Sequence, residues 1–132
     1  MTVGPVDRDA ATAEFFDAAA GGALLLRRCP RGHYSEPPAA QCTTCGSVDL
    51  ASAPAAGGAS LVSWAVTRTA AEPGGDAAAT VLIIAELDEG PWWWSQLIDA
   101  DPAELRVGAR LRVAFVRPDA EHEAVPVFRL AH

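Results

Sequence analysis

The sequence predicts a mainly β protein with an N-terminal helix, a small metal-knuckle unit and a five-stranded antiparallel barrel. Three observations predict it. All three cysteines fall between Cys29 and Cys45, with His33 among them. Beyond Ser60, five segments of β-forming residues are separated by turn residues. Ahead of both, a run of helix formers stops at Gly21-Gly22.

Taken in order, residues 1 to 22 form the N-terminal helical segment. Asp9 or Thr12 can cap a helix over about Ala10 to Ala20, because their side-chain oxygens can accept from free N–H groups of the first turn. Phe15 and Phe16 are adjacent and about 100° apart on such a helix, so one ring can pack inward while the other points elsewhere. Residues 23 to 52 form the ribbon-like unit. Leu24 to Arg28 reads as a strand entering the first knuckle, and Tyr34 to Pro38 leads out of it, stiffened by Pro37-Pro38. Gly32 and Gly46 supply the backbone freedom that knuckle turns need. Ala51 to Gly58 has few bulky side chains and reads as a linker.

Residues 53 to 132 carry the barrel. Ser60 to Thr69 is a strand with Val62, Trp64 and Val66 on one face. Ala70 to Ala79 is a long turn around Pro73-Gly74-Gly75-Asp76. Val81 to Leu87 is a continuous apolar run suited to a buried strand, turned by Asp88-Glu89-Gly90-Pro91 into a return strand from Trp92 to Ile98. A short helix starts at the aspartates before Pro102. Arg110 to Phe115 alternates, with Leu111, Val113 and Phe115 inward and the arginines outward, and Ala124 to Leu130 is the fifth strand. Five strands with a short helix between the third and fourth match the OB barrel.

Cys29, Cys42 and Cys45 resemble the soft-ligand spacing that loops use to hold tetrahedral zinc. The first knuckle is incomplete: Gly32 stands where a second cysteine belongs, and His33 is the other ligand type nearby. A close cysteine pair and an odd total favour metal or redox chemistry in a reducing compartment over a structural disulfide. No apolar run approaches the roughly 20 residues that span a bilayer, and a cytoplasmic location is expected.

The net charge of -7 argues against nucleic acid as the main partner, since such binders present a basic face to phosphate. The basic residues are all arginine. Arg27, Arg28 and Arg31 crowd the first knuckle; they are solvated or paired with nearby carboxylates, or one of them meets a phosphate of a nucleotide-like ligand such as CoA. In Trp92-Trp93-Trp94, strand alternation sends Trp92 and Trp94 to one face and Trp93 to the other, so at least one ring leaves the barrel interior. Either all three close the barrel and its ends, or one or two anchor a protein interface, where tryptophan is enriched. Catalysis by this chain is not expected. His122 and His132 read as solvated, and Glu86, Asp88 and Glu89 as solvated or paired, with no nucleophile or phosphate loop beside them.

Phe15-Phe16, the Leu-Leu-Arg-Arg-Cys entry ending at Cys29, the Pro37-Pro38 ribbon, Cys42-x-x-Cys45-Gly46-Ser47, Leu87 to Pro91 and Pro126-x-Phe128 follow one order. From about Thr12 to Leu130 the chain resembles a family of acyl-CoA-associated proteins that join a rubredoxin-like zinc ribbon to an OB fold, designated domain of unknown function thirty-five. The resemblance implies a non-catalytic partner of a thiolase-like enzyme, with Phe15, Phe16 and Trp92 to Trp94 at the interface and acyl-CoA at the complex. Steroid side-chain aldolases are among the enzymes so partnered. The family's first knuckle reads Cys-x-x-Cys-Gly, from which this chain departs. His33 then completes a Cys3His zinc site, or three residues and a water hold zinc, or the ribbon folds without metal. The competing reading is a stand-alone module that binds acyl-CoA or single-stranded nucleic acid.

Overall fold

The computed structural model describes residues 12–37, 39–68 and 79–131. Helix α1 spans Ala13–Ala20, with Thr12 at its N-cap but without a side-chain capping bond. Asp9, the other expected cap, lies outside the described residues. The glycine stop is as expected. The N–H groups of Gly21, Gly22 and Ala23 bond back to Ala18 and Ala19 carbonyls, and Gly22 sits at φ 87°, where a side chain would be strained.

A three-stranded antiparallel sheet follows, in the order β2 (Tyr34–Ser35), β1 (Leu25–Arg28), β3 (Ala51–Pro54). Here the sequence expectation fails. Ala51 to Gly58 is not a linker, because its first four residues pair along β1 from Arg28↔Ala51 to Leu25↔Pro54. Small side chains hide a strand from pattern reading, yet their main chain pairs as well as any other, and Arg27 adds a bond to the Ser52 hydroxyl at 3.0 Å.

The remaining strands are β4 (Gly58–Arg68), β5 (Ala79–Leu87), β6 (Trp92–Leu97), β7 (Arg110–Val116) and β8 (Val125–Leu130). They close a barrel in the order β4-β5-β6-β8-β7, with β6 and β8 parallel. A single 3-10 turn, Pro102–Glu104, lies between β6 and β7, begun by Asp101 accepting from the Ala103 N–H. This is the connectivity and helix position expected of an OB barrel. Of the expected long turn, Ala70 to Ala79, residues 70–78 lie outside the described residues, and Ala79 already opens β5.

Two details differ from the pattern reading. A β-bulge in β4 between Leu61 and Ser63 shifts the alternation, so Leu61, not Val62, joins Trp64 and Val66 in facing the β5 residues Ala85, Ile83 and Val81. Strand β5 is not buried on both faces. Val81, Ile83, Ala85 and Leu87 point inward, while Leu82 remains 45% exposed. Helices cover both faces of a parallel sheet, but the outer face of a small antiparallel barrel meets solvent.

The core is continuous through both sheets. Leu24 and Leu26 of the ribbon pack in one cluster with Leu61, Ile83, Leu97, Leu111 and Phe128 of the barrel. Helix α1 lies against β1 and β8, burying Phe16 and Ala19.

Candidate functional site

Both knuckles are built by short backbone turns. At the first, the Cys29 N–H bonds the His33 carbonyl at 3.0 Å and the Gly32 N–H returns to the Cys29 carbonyl, with Gly32 at φ 86°. At the second, the Cys42 N–H bonds the Ser47 carbonyl and the Gly46 N–H bonds the Cys42 carbonyl, with Gly46 at φ 75°. These turns bring Cys29, His33, Cys42 and Cys45 together, each offering one ligand atom, all within 4.8 Å of one another.

The edges of this cluster test whether zinc fits. A tetrahedron with Zn–S of about 2.3 Å and Zn–N of about 2.1 Å has S···S edges of about 3.8 Å and S···N edges of about 3.6 Å. Cys29 Sγ lies 3.8 Å from Cys45 Sγ and 3.5 Å from His33 Nδ1. Both edges match, and Nδ1 is the imidazole nitrogen turned to the cluster. His33 therefore stands where the second cysteine of the first knuckle is missing.

The electrostatics agree with a cation. The Cys45 backbone N–H, followed by that of Thr44, donates to the Cys42 sulfur, and with the other two thiols these lower its pKa to about 6 against the burial that raises it. At Cys45 the Ser47 N–H lowers the pKa, but burial and the Cys42 and Cys29 sulfurs outweigh it, and the net shift is upward. The pocket thus holds one thiolate readily and resists a second negative charge until a positive ion enters. Zinc bound there would have four protein ligands and no open position, which makes it a structural ion.

The three knuckle arginines have separate surroundings. Arg27 donates to Ser52 Oγ and to the Leu50 carbonyl at 3.1 Å, tying β1 to the chain behind the second knuckle. Arg28 lies over the Tyr34 ring, 5.6 Å from its centre. Arg31 is exposed on the knuckle turn.

The three tryptophans divide as alternation requires. Trp92 and Trp94 point outward opposite Glu86 and Ile84, 49% and 76% exposed, so the three rings do not all close the barrel. Trp93, opposite Ala85, is partly buried against the core. The Phe15 ring stacks on it at 5.8 Å and 16°, and meets Phe16 edge-on at 5.3 Å. Pattern reading missed the rest of this surface. Leu82, Val125, Pro126 and Val127 join Phe15, Phe16, Trp93 and Trp94 around an open apolar groove of about 550 Å³. The alternation of Leu82, Ile84 and Glu86 was the available signal, hidden by the apolar run that contains it.

The acidic residues serve the turns. Asp88 takes a two-pronged bond from Arg110 at 3.0 and 2.9 Å, which holds its pKa below the usual carboxylate value. Glu89 Oε2 accepts from the Ala56 N–H at 2.8 Å. His122 is not simply solvated: its Nδ1 lies 2.6 Å from Asp119 Oδ1, which lowers the Asp119 pKa. His132 lies outside the described residues. No described helix is long and apolar enough to cross a membrane.

Residues 52–116 match the family described as ChsH2, C-terminal OB-fold domain. A solved structure described as "Ltp2-ChsH2(DUF35) aldolase" is 28% identical, with a TM-score of 0.76, covering 98% of this chain and 100% of the other. A second, from Sulfolobus solfataricus and described as a DUF35 protein of unknown function, is 12% identical with a TM-score of 0.59, covering 92% of this chain and 86% of the other. That second likeness shows the fold. No match was found among curated proteins. The matched barrel and the agreement along the whole chain make this protein similar to DUF35 proteins that carry a ChsH2-type OB-fold domain.

Proposed function

We propose that this protein is a non-catalytic accessory subunit of a thiolase-like enzyme acting on acyl-CoA, and that its Cys3His cluster holds structural zinc. The observation that carries the reading is the end-to-end similarity to the ChsH2 chain of an aldolase complex. Trp92 and Trp94 support it, because tryptophan at such exposure is costly in water and is typical of an interface anchor. The acids and His122 support the non-catalytic part. Asp88, Glu89 and His122 are engaged with Arg110, Ala56 and Asp119, as groups that hold turns are. The carbon–carbon bond chemistry then belongs to the partner, and this chain helps to shape and hold the assembly. A bulky acyl-CoA of the steroid side-chain type is the substrate class we favour.

The test is to purify thiolase-like enzymes from the genome that encodes this chain, with and without it. The expected result is a stable hetero-oligomer and an aldolase or thiolase activity that falls sharply when this chain is left out. A partner that stays soluble and fully active alone would refute the proposal.

A further inference from the structure

Among the described residues the barrel closes with its fewest paired residues between β6 and β8. Strand β6 pairs with β5 at every residue from Trp92 to Leu97, but with β8 at Leu97↔Phe128 alone among the described residues. Hydrogen-bond alternation shows which groups face that gap. The Leu87 N–H bonds the Pro91 carbonyl across the hairpin, so alternate residues Trp93, Ser95 and Leu97 turn their main-chain groups to β5. Trp92 and Trp94 turn theirs the other way, as Ile98 does when its N–H bonds the Phe128 carbonyl at 2.8 Å. Two residues before Phe128 stands Pro126, which has no N–H with which to continue the ladder. Its carbonyl accepts from the Ser95 hydroxyl at 2.9 Å. A stretch of strand edge at Trp92 to Trp94 is therefore left beside the aromatic groove.

We propose that an extended segment of the partner subunit adds as a strand to this edge of β6. The inference rests on the accessory-subunit reading and says how the docking is made. An open edge selects an extended chain, because main-chain N–H and C=O groups need partners of the same kind. Alternate side chains of such a segment meet Trp92 and Trp94 on one side and Trp93 with Phe15 on the other. The groove is apolar, and an adjoining hollow that shares Phe15, Phe16, Trp93 and Trp94 with it reaches Trp92 and has Glu36 as its charged lining residue, with Glu86 opposite Trp92 on the outer face. The segment is thus apolar with a basic residue at one end, complementary to a chain of net charge -7.

The test uses the full chain with its thiolase-like partner. On complex formation, hydrogen exchange at the Trp92 and Trp94 amides should slow by about tenfold or more. Trp94→Ser should keep the fold yet raise the Kd about 30-fold or more, and Glu36→Arg should weaken binding most at low salt. Val107→Ser, equally exposed but on the turn before β7, should leave the Kd unchanged. The proposal is overturned if the complex forms but the two amides exchange alike free and bound, or if Trp94→Ser binds as wild type. It is also overturned if decanoyl-CoA fills the groove of the isolated chain at micromolar concentration and competes with no protein segment. Failure of the wild-type chain to bind any thiolase-like partner would instead remove the accessory-subunit reading on which this one stands.

Discussion

His33→Ala tests the metal site most directly. The His33 side chain enters the cluster through Nδ1, 3.5 Å from Cys29 Sγ, whereas the turn itself is held by main-chain bonds between Cys29, Gly32 and His33. Truncation therefore removes a ligand and leaves the knuckle in place. A closed four-ligand zinc site is worth about 10–16 kcal/mol of apparent binding energy, and sharing this equally among four ligands assigns about 2.5–4 kcal/mol to each. At about 1.4 kcal/mol per tenfold, the zinc Kd should rise by roughly 10²- to 10³-fold. Competition against a chromophoric chelator measures this, with metal content of the purified protein as a second readout. His33→Cys should retain the ion, since a thiolate there restores a two-cysteine knuckle. Unchanged zinc affinity in His33→Ala would refute the Cys3His assignment and leave a site of three cysteines and water, while metal-free wild-type protein would refute zinc altogether.

Removing the ion from the wild type with a chelator should raise hydrogen exchange in β1, β2 and β3 first, while the barrel strands keep their protection. Phe128→Ala, at a side chain with no exposed surface, should cost about 3–5 kcal/mol and lower the Tm by more than about 10 °C in a thermal melt; Trp94→Ala should leave the Tm within a few degrees. Gly58→Ala should break the Asp88–Arg110 pair, because the added Cβ would lie 2.3 Å from Asp88 Oδ2 and 3.0 Å from Arg110 Nη2. The pair also fixes the sign of a pH effect. Arg110 lowers the folded pKa of Asp88, so its contribution is present above the ordinary carboxylate pKa of about 3.9 and lost as pH falls through the folded value. Asp88→Asn should therefore lower the Tm slightly at pH 7 and not at pH 2, a small effect because both side chains are about half exposed and screened by water.

Local pattern was enough for much of the fold. Residue type and spacing marked the glycine-stopped helix, the two knuckles, the β5–β6 turn and the outward arginines of β7. Strand β3 escaped because Ala-Ser-Ala-Pro has no apolar rhythm, although Arg28↔Ala51 and its neighbours pair across the sheet. The β4 bulge escaped because an extra residue in a strand leaves no mark in composition. For the candidate site, the sequence supplied Cys29, Cys42, Cys45 and His33, and left three ways to fill the fourth position.

By itself, then, the sequence determined which residues can bind a soft metal and which tryptophans share a face, because both depend on chemistry and a two-residue period. Only the tertiary structure decided that His33 Nδ1 reaches the thiols, that Leu82 and Pro126 join the aromatic groove, and that β6 keeps an open edge. Those facts depend on distances between segments far apart in the chain, set by how the ribbon, α1 and the barrel pack on one shared core.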